Sequence, residues 1–90
     1  MLDDIKLALR ITHNLLDSEI IANIESARAE LYRSGISYEK ATDEEDVLIR
    51  QAIKTYCLMM LSNNEKMAEG YAESFKYQMD CLRKSVEYHV

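Results

Sequence analysis

Proline and tryptophan are absent from these 90 residues, and glycine occurs only at Gly35 and Gly70. Without proline-rich or glycine-rich stretches the chain has no linker or low-complexity segment, and no internal repeat is visible. Long apolar runs are missing too: the longest uncharged one, Tyr56 to Leu61, is far too short to cross a membrane. The opening Met1-Leu2-Asp3-Asp4 lacks the basic and apolar regions of a signal peptide, so the expectation is a protein made and kept in a cytoplasm. No lysine or arginine cluster offers a sequence-independent grip on nucleic acid. His13 and His89 each lack a second ligand at helical or strand spacing, and Cys57 and Cys81 are equally dispersed, so no metal set is recognisable. A glycine-rich phosphate loop, a Gly-x-Ser-x-Gly elbow and a locally supported Cys/His pair are all wanting. No catalytic residue, no cofactor and no turnover are expected.

What remains is an apolar fraction of 48% beside a charged fraction of 30%, a balance that favours a few amphipathic helices. The expectation is an all-α fold, a small bundle of about four helices with a long C-terminal helix, in a single domain over residues 1–90. A chain of this size buries roughly 64% of its unfolded surface, which makes a modest core. The net charge of −5 is unevenly spread: residues 1–46 hold eleven acids against five bases, residues 47–90 five acids against six bases. Such an acidic chain repels phosphate, although DNA can pass beside it without being gripped.

Periodicity and caps place the helices near 3–11, 18–34, 43–62 and 64–88. The first starts at Asp3 or Asp4, carries Ile5, Ala8 and Leu9 on one face, and is interrupted at Thr12-His13-Asn14. Asp17 is the expected cap of the second, whose apolar face is Ile20, Ile21, Ile24, Ala27 and Leu31. Gly35 ends it in a left-handed turn, with Ile36 folding back in a Schellman ending. Ser37 to Ala41 reads as a connection displaying Tyr38 and Lys40. Thr42 and Glu45 form a capping box for the third helix, with the acids 43–46 at its positive dipole end. Its inner face is Ile49, Ala52, Ile53, Tyr56 and Met60, and its end is apolar all round. Ser62-Asn63-Asn64 caps the last helix. If the last two helices are antiparallel about Asn63, Cys57 and Cys81 lie about 18 Å apart along the axis, so both are expected as free buried thiols.

The last helix carries two apolar strips. Ala68, Ala72, Phe75, Met79, Leu82 and Val86 alternate by three and four and form a core seam, whereas Gly70, Tyr77, Cys81 and Tyr88 cluster roughly opposite, with the charges on a flank. Two strips imply two neighbours. Arg28 falls within the apolar face of the second helix, where a guanidinium snorkels or meets a carboxylate. The candidate subunit or partner interface is therefore Arg28, Tyr38, Lys40, Gly70, Tyr77, Cys81 and Tyr88. Tyr56 and Tyr71 belong with the core.

Read in order, the elements resemble a family: the small head-tail connector, or head-completion adaptor, proteins of tailed bacteriophages and prophages. The carrying residues are Leu2-Asp3-Asp4-Ile5-Lys6 with Leu9-Arg10-Ile11, Asp17 to Ile21 through Ile24 to Ala27-Arg28 and Leu31, and Gly35. They continue with Asp46, Leu48-Ile49, Ala52-Ile53, Tyr56, Asn63-Asn64-Glu65, Tyr71, Ser74-Phe75, Leu82 and Tyr88. One position departs: relatives commonly place an arginine between the asparagine and the glutamate, and here Asn64 directly precedes Glu65. The resemblance implies a structural protein of the virion, sited at the head-tail junction and synthesised in the host bacterial cytoplasm. It implies a homo-oligomeric ring, typically dodecameric, beneath the portal protein. The ring extends the DNA channel and offers a docking surface to a stopper or tail-completion protein. DNA passes through without specific binding, as an acidic protein suits.

Two other readings share parts of the pattern. A generic small helical adaptor or antitoxin-like regulator needs the seam but only a dimer. A helical chorismate mutase-like enzyme shares the opening Leu-Asp-Asp-Ile with Arg10 and Arg28, yet its chemistry needs several convergent cations, and Ser37 to Thr42 offers only Lys40.

Overall fold

The computed structural model describes residues 1–88 and contains five helices: α1 (Leu2–Leu9), α2 (Asp17–Arg33), α3 (Tyr38–Ala41), α4 (Val47–Leu61) and α5 (Glu65–Lys84). No strand occurs among the described residues. The expectations for His89 and Val90 lie outside them.

α4 is the central element, packing most extensively on α5 and next on α2, with α1 resting on both α4 and α2. One core joins Ile5, Ile20, Ile24, Ala27, Leu31, Ile36, Ala41, Ile49, Ala52, Ile53, Cys57, Phe75, Leu82 and Tyr88. Tyr56 meets Phe75 edge to face, with ring centroids 5.2 Å apart, an arrangement the ring quadrupoles favour.

The Schellman ending of α2 forms as its sequence dictates. Ile36 N–H donates to the Leu31 carbonyl and Gly35 N–H to that of Tyr32, both at 3.2 Å, with Gly35 at φ 113°. Ile36 is thereby folded into the core. Asn64 caps α5, its Oδ1 accepting from Lys66 N–H at 3.0 Å and Met67 N–H at 3.1 Å.

Other local expectations are corrected. Ser37 to Ala41 is not an irregular connection, because the Ser37 hydroxyl accepts from Lys40 N–H and closes a helical turn. The Thr42 hydroxyl donates back to the Tyr38 carbonyl at 2.7 Å and so does not cap α4. That cap is Asp46, whose Oδ1 accepts from Leu48 N–H at 3.0 Å and Ile49 N–H at 3.1 Å. Asp17 stands inside the first turn of α2 and pairs with Lys6 at 2.9 Å. Neither Asp3 nor Asp4 caps α1, which begins at Leu2 behind Met1. α1 stops at Arg10, a non-glycine residue in the left-handed conformation at φ 58°. The last helix ends at Lys84 rather than near 88, and Val86 is 87% exposed instead of lying in the seam. Ile21 is likewise exposed, about 100° of helix turn away from Ile20 and its core stripe. Met60 is exposed although it falls on the stripe of Ile49, because it lies in the last turn of α4. Cys57 is buried and free, but Cys81 is free and exposed.

Candidate functional site

Three exposed apolar surfaces surround α4. Helices pack 8–10 Å apart, and the shortest dimension of this molecule is 18 Å, so two layers of helix leave outer faces uncovered.

The first surface is the outer side of α2 with α3. Tyr32 and Tyr38 meet edge to face at 5.7 Å, and with Glu25, Arg28, Ala29 and Ala41 they line a hollow of about 400 Å³. Arg28 neither snorkels freely nor meets a carboxylate: its guanidinium donates to the Ala41 carbonyl at 2.8 Å and ties α2 to the end of α3. Arg28 and Tyr38 are therefore brought together.

The second surface is a stripe along α5, Met67, Gly70, Ser74, Tyr77 and Cys81, spaced by three and four and exposed throughout. Tyr77 is 71% exposed. A side-chain hydrogen bond to Cys81, then the charge of its thiolate and a little burial, raise the Tyr77 phenol above its ordinary value. Gly70 and Tyr77 share a hollow with Gln51, Glu73, Ser74 and Gln78.

The third surface was not legible as such. A groove of about 550 Å³ runs between α1 and α4, with Met1, Leu7 and Ala8 on one wall and Val47, Lys54 and Leu58 on the other. Leu7 is 80% exposed and Val47 70%. The spacing 47, 51, 54, 58 on α4 is a second helical stripe beside the core stripe, a signal masked by the stronger apolar face. Gln51 lines both this groove and the α5 hollow, so the two surfaces are continuous across α4.

Tyr88 does not join the α5 stripe. Beyond α5 the chain turns back, Tyr88 is only 6% exposed, and the Ser37 N–H donates to its carbonyl at 2.6 Å. Its hydroxyl donates to Asp46 Oδ2 at 2.8 Å. Lys40 stands over the Tyr88 ring at 5.3 Å and faces the Asp46 carboxylate at 3.9 Å. Lys40 thus belongs to an internal cluster that fastens the chain end to α3 and α4. Burial alone would push the Asp46 carboxyl up. The Ile49 N–H, the Tyr88 hydroxyl, the Leu48 N–H and the Lys40 charge together outweigh it and hold the carboxyl below its ordinary value. Burial first, then the hydrogen bond and charge of Asp46, push the Tyr88 phenol up to about 12. Burial likewise pushes the Cys57 thiol up to about 11, which leaves it unreactive at neutral pH.

A hollow that brings Arg28 and Arg50 together is also lined by Glu25, Glu44 and Glu45, a setting hostile to a dicarboxylate substrate. Among the described residues no three His, Cys, Asp or Glu side chains gather where they could hold a metal ion, and no helix is long and apolar enough to cross a membrane. A family model described as phage connector protein matches residues 1–89. No match was found among curated proteins or among solved structures.

Proposed function

This chain belongs to the phage connector protein family, and we propose that it is a structural subunit of the virion that forms a homo-oligomeric ring between the portal and the stopper or tail components, extending the DNA channel. The observation that carries this reading is the set of unlike apolar surfaces around α4: the tyrosine-bearing flank of α2 and α3, the α1 and α4 groove, and the α5 stripe. Head-to-tail packing of identical chains needs two different faces on each, and a third face remains for a different component. The net charge of −5 favours passage of DNA over retention by the ring wall.

Native mass spectrometry of the purified chain, alone and with a portal ring, tests the reading. A large homo-oligomer, or a portal complex with many copies, is expected. A chain that never exceeds a dimer and ignores the portal ring would instead be the generic helical adaptor, and the connector ring would be discarded for this protein.

A further inference from the structure

The α1 and α4 groove and the outer stripe of α2 match one another residue by residue. Along α4 the groove presents Val47, Lys54 and Leu58, at intervals of seven and four. Along α2 the outer stripe presents Ile21, Glu25 and Tyr32, at intervals of four and seven. Each stripe spans eleven residue steps, about 16 Å at 1.5 Å per residue. Laid antiparallel, the two orders coincide: Ile21 falls on Leu58, Glu25 on Lys54 and Tyr32 on Val47. The apolar members of both stripes are exposed, apart from the half-buried Leu58.

Charge follows the same match. α4 contains two cations, Arg50 and Lys54, and no acid. Arg50 is paired with Asp4 at 2.6 Å within its own chain, while Lys54 has no ion-pair partner among the described residues, and neither has Glu25. The hollow beside the other stripe holds Glu25, Glu44 and Glu45 with Arg28 and Arg50. Arg28 is committed to the Ala41 carbonyl and Arg50 to Asp4, which leaves the three acids without an ion-pair partner among the described residues. Like surfaces would repel, whereas these attract.

We infer that the α1 and α4 groove of one copy receives the outer face of α2 from the next copy, antiparallel to α4, with Glu25 against Lys54 at the centre. The inference rests on the ring reading above and names the two surfaces that meet. It uses the helix-in-groove mode, in which an apolar stripe fills the groove and a central charge pair sets the register. The α5 stripe with Tyr77 is left free for a component other than the neighbouring copy.

The test mixes isotope-labelled and unlabelled full-length chain under assembling conditions, adds a carbodiimide, and identifies cross-linked peptides. A Glu25 to Lys54 amide joining a labelled to an unlabelled peptide is expected. Glu25→Lys and Lys54→Glu should each weaken assembly about tenfold or more, and the double exchange should restore most of it. Leu7→Glu, at an exposed groove position, should weaken assembly with helix content unchanged, which keeps the test decisive if Lys54→Glu folds poorly. An assembled wild type whose cross-links avoid these two residues, with charge variants that assemble normally, overturns the pairing and leaves the ring reading standing. A wild type that remains monomeric alone and with the portal ring overturns both.

Discussion

The carboxylate of Asp46 caps α4 and accepts the Tyr88 hydroxyl while facing the Lys40 ammonium. Asp46→Ala should cost about 1–2 kcal/mol at neutral pH, the range for a lost helix cap. Because the folded carboxyl lies below its ordinary 3.8, this stabilisation is fully present above that value and disappears as pH falls through the lowered one. Denaturant titrations should show the gap between wild type and variant narrowing only below about pH 4. Tyr88 has the opposite sign: its phenol is raised from 10 to about 12, so the neutral group stabilises the fold up to about pH 10 and the contribution is lost as pH climbs toward 12. Tyr88→Phe should cost about 1 kcal/mol at neutral pH and should lack that alkaline loss. None of this cluster was legible as one unit. Asp46 reads as one of four consecutive acids at a dipole end, and Tyr88 as the last member of a stripe, because the two stand 42 positions apart and are brought together only by the turn after Lys84.

Among the elements, the two left-handed residues test what ends a helix. Gly35 sits at φ 113° with open space where a Cβ would go, so Gly35→Ala meets backbone strain alone and should destabilise by about 1 kcal/mol or more. Arg10 adopts φ 58° without glycine's freedom, and Arg10→Gly should be neutral or mildly stabilising, with thermal melts of the two variants against wild type as the measurement. The long helices were legible because their core stripes repeat over several turns: Ile20, Ile24, Ala27 and Leu31 on α2, and Ile49, Ala52 and Ile53 on α4, are all buried as their spacing requires. The short elements were not. α3 has a single turn, too brief for a period to show, and it is fixed by Ser37 and by Arg28 from another helix. α1 stops at an arginine, which carries no stop signal. The choice between Thr42 and Asp46 as the α4 cap could not be made from the chain, since both precede an apolar run and only the fold shows that the Thr42 hydroxyl is committed to α3.

At the scale of the whole molecule, the two sides of α5 have separate tasks, and two substitutions two residues apart distinguish them. Phe75 is buried beside Tyr56 in the core between α4 and α5. Phe75→Asp places an unpaired charge there at a cost of several kcal/mol, a large fraction of the 5–15 kcal/mol that holds a typical domain folded. Tyr77 faces solvent and touches no core residue's ring, so Tyr77→Asp should leave the helical circular dichroism and the melting midpoint close to wild type. Its effect should appear only with partners. If the α5 stripe meets a component other than the neighbouring copy, Tyr77→Asp should leave the homo-oligomer intact and weaken capture by a portal ring or a tail-side component about tenfold or more, as loss of a central aromatic anchor does. Native mass spectrometry of the variant, alone and with each component, separates these outcomes. Unfolding as severe as that of Phe75→Asp would place Tyr77 in the core. Unchanged capture by every component would show that the stripe is only surface, and loss of the homo-oligomer would assign it to the contact between copies.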